Sequence, residues 1–219
     1  MATQVQLGID GNFDPTSQKA AEQLQYAISN GSIDMAEQLI SKGVPVESPP
    51  KQIVSNNRYI ESPYIVQATV AGHLNMIECL HRHHRLLSET GHIGFSPKLH
   101  NSVISNCLGA AAYHGHFHII KWIVNSSKDA LSLLHFRAIE IEDSKELNGF
   151  SPIMLSIAGK GDCRIVKLII NFDSKLSSGD CYGGNLLHAC VIYGKIDILL
   201  YLMSANLCNP YKKNEEVHV

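Results

Sequence analysis

Three histidines at alternate positions, His114, His116 and His118, stand in front of the apolar run IIKWIV. Such a row raises the question of a zinc centre, since neutral imidazole is a common metal ligand. His81, His83, His84, His92 and His100 in the preceding segment are the candidates for completing a ligand set, in a chain with 12 histidines. A zinc ion needs about four ligands converging within about 2.3 Å, and alternate residues across a helix break do not converge without further partners. The run HRHHR, His81 to Arg85, offers different chemistry: two arginines with three histidines form a local positive patch for a phosphate or an acidic segment. Its binding would then strengthen below about pH 6.5. The plainer account is a solvated basic cap, because cations are favoured at the C-terminus of a helix.

Catalysis finds little support. There is no GxSxG, HExxH, GxxxxGK[ST], or GxGxxG after a strand. Gly159, Lys160 and Gly161 lie where one helix gives way to the next, and Glu140, Glu142, Asp143 and Glu146 suit a solvated acidic loop better than an acid/base pair. The cysteines at 79, 107, 163, 181, 190 and 208 form no CxxC pair. Cys79, Cys107, Cys163 and Cys190 fall within apolar helical patterns and are expected to be free core thiols. Neither a cofactor nor a metal is expected.

The balance of 18 basic against 20 acidic residues gives a net charge of −2, which excludes the large positive field that nucleic acid or an anionic membrane would require. Apolar residues make up 45% of the 219, spread along the chain without a run of about 18 that could span a bilayer. The opening MATQVQLGIDGNFDP lacks a basic and apolar leader, so a soluble protein in the cytoplasm is expected.

Any candidate site must be positioned by the elements around it, and these repeat. AISNGSIDMAEQLISKG from Ala27, ATVAGHLNMIECLHRHH from Ala68, AAYHGHFHIIKWIVNSS from Ala111, AGKGDCRIVKLIINFD from Ala158 and VIYGKIDILLYLMSAN from Val191 each end one helix, turn at a glycine and begin another. The turn glycines are Gly31, Gly72, Gly115, Gly161 and Gly194, so the last pair stands 33 residues apart and the others are separated by insertions. After each glycine the apolar residues recur at helical spacing, as in Ile165, Val166, Leu168 and Ile169. Before it lies a shorter helix of small residues such as Ala110, Ala111 and Ala112, which let helices approach closely.

In this pattern the chain resembles the ankyrin repeat family, whose unit of about 33 residues opens with T-P-L-H-x-A. NLLHAC from Asn185 follows that signature; SPYI from Ser62 and SPIM from Ser151 keep its cap and proline; NCLGAA from Asn106 keeps the spacing. The family's Gly-His turn stands at Gly72-His73 and Gly115-His116, and Ser204, Ala205 and Asn206 look like its loop after a second helix. Ser62 to Gly72 and Ser151 to Gly161 span ten residues where the pattern has nine, so irregular starts are expected for those first helices. The resemblance covers about residues 20–210 and implies an all-α, ankyrin-type helix-turn-helix solenoid of about five repeats. It also makes His116 a turn histidine bonded to backbone. The organisation expected is an arm over 1–17, a repeat domain over 18–210 and a tail over 211–219.

In such a stack the loops project as fingers beside a concave face. They run about 43–61, 86–105, 127–149 and 174–184, longer than a bare repeat requires in three cases. They carry interface-type side chains: Arg58, Tyr59, Phe95, Phe136, Arg137 and Tyr182. Tyr64, Tyr113 and Tyr193, on or beside the first helices, complete the expected partner-binding set. The function this implies is a non-enzymatic adaptor for a protein or peptide. A narrower alternative is a ubiquitin-ligase substrate receptor, because the stretch from Gly72 to Phe117 loosely resembles the Fem family. A host-directed bacterial effector suits the composition, and a histidine-rich metal-dependent enzyme is the alternative of another class. Repeat one has a polar outer face, with Gln18, Lys19, Glu22, Gln23 and Gln25, whereas repeat five keeps an apolar run from Ile196 to Met203, as if further repeats or a partner covered it.

Overall fold

The turns generate the architecture. At the end of the first helix α1 (Gln18–Ser29), Gly31 has φ +67°, its N–H bonds to Ile28 O and the Ser32 N–H to Ala27 O at 2.8 Å. This closure satisfies carbonyls that a helix end would otherwise orphan, and its left-handed residue favours glycine. The same pair of bonds closes the first helix at Gly72, Gly115 and Gly194, with φ between +66° and +81°. The computed structural model describes residues 13–46, 53–54, 58–59, 64–89, 97–127, 130–135, 149–175 and 185–211.

Five helix pairs result among these residues: α1 with α2 (Ile33–Ser41), α3 (Tyr64–Ala71) with α4 (Leu74–Glu89), α5 (Pro97–His114) with α6 (Phe117–Ser126), α8 (Pro152–Ala158) with α9 (Cys163–Phe172), and α10 (Leu186–Ile192) with α11 (Ile196–Ser204). A short α7 (Ala130–His135) packs on α5, α6 and α8. The first helices α1, α3, α5, α8 and α10 stack in one row, and α2 on α4, α6 on α9 and α9 on α11 form a second. Apart from these helices, β1 (Ile53–Val54) and β2 (Arg58–Tyr59) make an antiparallel ladder pairing Ile53 with Tyr59 and Val54 with Arg58.

Between the two rows lies a continuous core. α9 shows how it is built: Ile165, Val166, Ile169 and Ile170 share one face and are all buried. Each such side chain contributes roughly 1.5–3 kcal/mol of hydrophobic stabilisation. Ala68, Ala111 and Ala112 are fully buried where the first helices touch. Asn185 caps α10 with a side chain that accepts from Leu187 N and His188 N, while His188 Nδ1 accepts from Asn185 N at 3.0 Å. At the far end Asn206, at φ +52°, closes α11 with the bond Leu207 N to Leu202 O, the role Gly43 plays after α2.

Three expectations need correction. Much of the supposed loop 86–105 is helix: α4 runs to Glu89 and α5 starts at Pro97, so the stretch from Asn106 that keeps the repeat spacing begins inside a helix. Part of the loop 127–149 is α7. In the fourth repeat the extra residue lies at the end of the first helix, not its start. Ser151 stands at the N-cap position of α8, without a side-chain capping bond, and Pro152 begins the helix, as proline can at a first turn. The helix stops at Ala158, and Gly159 and Lys160 bulge towards the third repeat, where the Lys160 N–H bonds to Tyr113 O at 2.9 Å.

Candidate partner-binding surface

The histidines of the turns are tied to backbone. His73 Nε2 lies 3.2 Å from Ser29 O, His116 Nε2 3.0 Å from Val70 O, and His118 Nε2 3.2 Å from Gly72 O, each reaching into the preceding repeat. The rings of His73 and His116 lie flat beneath Gly31 and Gly72, where any Cβ would come within 3 Å of them. Burial holds His114 and His116 below the usual imidazole range, opposed at His116 by its bond to Val70 O and reinforced at both by the Lys160 charge. His114 and His116 stack with centroids 6.0 Å apart, and His116 and His118 meet edge to face at 6.0 Å. Two of the row therefore staple repeats: the Nε2 atoms of His116 and His118 engage separate carbonyls rather than a common centre, while His114 stacks on the His116 ring.

The basic run lies partly exposed at the end of α4 and contacts its neighbours. His81 meets the Trp122 ring edge to face, with centroids 5.7 Å apart, and Arg82 Nη1 lies 3.7 Å from Glu37 Oε1. The side chains of His84 and Arg85 lie outside the described residues, as do His92 and the acidic cluster of Glu140, Glu142, Asp143 and Glu146. Cys79, Cys107 and Cys190 are buried, and burial pushes the Cys107 and Cys190 thiols up to about 12. Among the described residues one set of side chains could hold a metal: Glu37, Cys79 and His83, where α2 meets α4.

Of the residues expected to meet a partner, Tyr64 is a core residue instead. It is fully buried, and its hydroxyl donates to Ala21 O at 3.2 Å, joining α3 to α1; burial pushes that hydroxyl up to about 12. Its phenol ring fills the apolar slot between two first helices, and such a ring is tolerated there because the hydroxyl finds a carbonyl. Tyr113 and Tyr193 are half-buried at the turn ends of α5 and α10. Arg58 and Tyr59 pair through backbone in β2, and their side chains lie outside the described residues, as do Phe95, Phe136, Arg137 and Tyr182 altogether.

The structure adds Tyr26, Val191 and Ile192 to the exposed surface, which periodicity does not single out, and exposes part of the apolar run Ile196 to Met203 that the sequence marks. Tyr26 on α1 and Ile192 on α10 are exposed along the row of first helices. On the last repeat Val191, Ile196, Leu200 and Met203 are exposed too. Register explains this: Ile28, Thr69 and Ala112 precede their turn glycines by three residues and are 0% exposed beneath the next repeat, whereas Val191, at the same position, is 70% exposed. No helix among the described residues is long and apolar enough to cross a membrane.

The model of ankyrin repeats matches residues 108–214 in three copies. The chain matches no curated protein. The two helix pairs ahead of the match share its glycine turns, its closing hydrogen bonds and its stacking. Residues 108–214 thus belong to the ankyrin repeat family, within an all-α ankyrin-type solenoid whose repeats make a protein–protein interaction module.

Proposed function

We propose that the chain is a non-enzymatic adaptor of the cytoplasm that holds a protein or peptide along its first helices and the loops between repeats. Its mechanism is positioning. The observation that carries this is the aligned row α1, α3, α5, α8 and α10, each packed on its neighbour through a buried face, along which Tyr26 and Ile192 are exposed and Tyr113 and Tyr193 half-exposed. Tyrosines held by a rigid scaffold offer large contact area at small entropic cost, and they are enriched among residues that dominate binding. The balanced charge favours a protein over a polynucleotide.

The test is retention from cytosolic lysate by two baits, the native chain and a variant with Arg58, Tyr59, Phe136 and Arg137 changed to Ala. A protein held by the first and lost by the second, with the variant's helical content and melting midpoint unchanged, supports an adaptor that works through its loops. Ligase subunits among such proteins would favour the narrower substrate-receptor form. Equal retention by both baits removes the loops from the proposal, and Tyr26→Ala with Ile192→Ala then tests the helices. No retention by any bait contradicts the adaptor function.

A further inference from the structure

Cys79 and His83 are four residues apart on α4, a spacing that places two side chains on one face, a turn apart. The facing helix α2 presents Glu37 to them. One donor atom from each of the three lies within 4.8 Å of the other two. Cys79 Sγ is 3.8 Å from Glu37 Oε1. On a tetrahedral zinc ion with bonds of about 2.3 Å to sulfur and about 2.1 Å to oxygen, those two atoms would stand about 3.6 Å apart. The thiol and the carboxylate are therefore already at the separation of two ligands of one ion, and the imidazole needs to approach by only about 1 Å.

We propose that Glu37, Cys79 and His83 form a binding site for zinc or a divalent ion of similar softness, which ties the second helices of repeats one and two together. A thiolate, an imidazole and a carboxylate are the donor classes zinc takes, and three protein ligands leave a fourth position for water or an incoming ligand. Binding replaces the thiol proton, which is released to solvent. The competing partner of Glu37 is Arg82 at 3.7 Å, but with the two side chains 64% and 46% exposed that pair is a weak tether. The site is independent of the partner-binding surface, since it lies on the opposite, second-helix row.

The reduced, metal-free chain is titrated with cobalt(II), followed by the near-ultraviolet charge-transfer absorption of a cobalt-bound thiolate, and then with zinc. The result expected is one cobalt per chain, displaced by zinc, with the charge-transfer band absent in Cys79→Ser. His83→Ala and Glu37→Gln change partly exposed residues and leave the fold standing. Each should weaken zinc binding by at least about tenfold, as loss of even an outer partner commonly does. Added zinc should raise the melting temperature of the native chain but not of these variants. Absence of the band in the native chain, its survival in Cys79→Ser, or unchanged affinity in either His83→Ala or Glu37→Gln overturns the site. If Cys79→Ser does not fold, the two other variants decide it.

Discussion

The junction between repeats two and three and the junction between repeats four and five fill the same slot with different chemistry. In the first, the His116 ring lies beneath Gly72 and its Nε2 engages Val70 O at 3.0 Å. In the second, the stem of Lys195 lies beneath Gly161, its Cδ 2.6 Å from where a Cβ would stand. A lysine stem can cover apolar surface while its ammonium stays in water, and it can move aside. A ring held by a hydrogen bond cannot yield so cheaply. The difference teaches that stacking requires a slender group beneath the glycine, whereas the cross-repeat hydrogen bond is an addition that makes the junction stiffer, and the burial of the ring makes it sensitive to pH.

Substitutions can break or sharpen this contrast. The largest effect is expected between the two junctions, at Gly159→Ala, because the added Cβ would collide with the backbone oxygen of Tyr113 rather than with a side chain. A loss of about 3 kcal/mol or more in denaturant unfolding is expected, as for severe overpacking. Next come the turn glycines. All need a left-handed conformation, which costs a residue with a Cβ about 1–2 kcal/mol. Nothing lies within 4 Å of the Cβ position at Gly194, so Gly194→Ala should show that cost alone. Gly72→Ala should exceed it by about 1 kcal/mol as the ring loses its bond, and Gly161→Ala should fall between. Equal losses at Gly72 and Gly161 would show that the ring yields as readily as the lysine.

His116→Ala should cost about 1–2 kcal/mol through the lost bond and packing. Lys195→Ala should cost less than half of that. The pH effect is the smallest. Burial lowers the proton affinity of His114 and His116 in the folded chain, so their contribution is complete above the ordinary imidazole value of about 6.5 and is lost as pH falls through the lowered one. The denaturation midpoint should therefore decline on acidification from pH 7 to pH 5, and His116→Gln should flatten the decline. A profile unchanged by His116→Gln would remove pH from the contrast.

Much of this organisation was legible in the sequence because a buried helix face writes itself as periodicity. Ile165, Val166 and Ile169 predict α9, and glycines in register predict the turns. What was not legible lacks such a pattern. The polar, histidine-rich ends of α4 and α5 carry no apolar stripe over residues 84–89 and 97–102, so helix there reads as loop. The buried Leu133 and Leu134 of α7 are too short a run to distinguish from a loop that folds back. Tyr64 misled because an amphipathic ring suits an interface and a core alike; its burial depends on Ala21, 43 residues away, offering a carbonyl. The extra residue of repeat four was visible in the spacing, but only the bond from Lys160 to Tyr113 shows which end of the helix absorbs it. The union of Glu37 with Cys79 and His83 is likewise a product of stacking, invisible along either helix alone.

The Lys160 N–H also serves as a gauge. It is bonded across the junction between repeats three and four, to Tyr113 O, and not along its own helix. Its deuterium exchange therefore reports how often those repeats part, whereas amides within α8 or α9 report when a helix melts. In a stack whose stability is a sum of neighbouring interfaces, these two lifetimes need not agree. An exchange rate at Lys160 faster than the helices on either side would mean that the solenoid opens as two hinged halves while every helix stays intact.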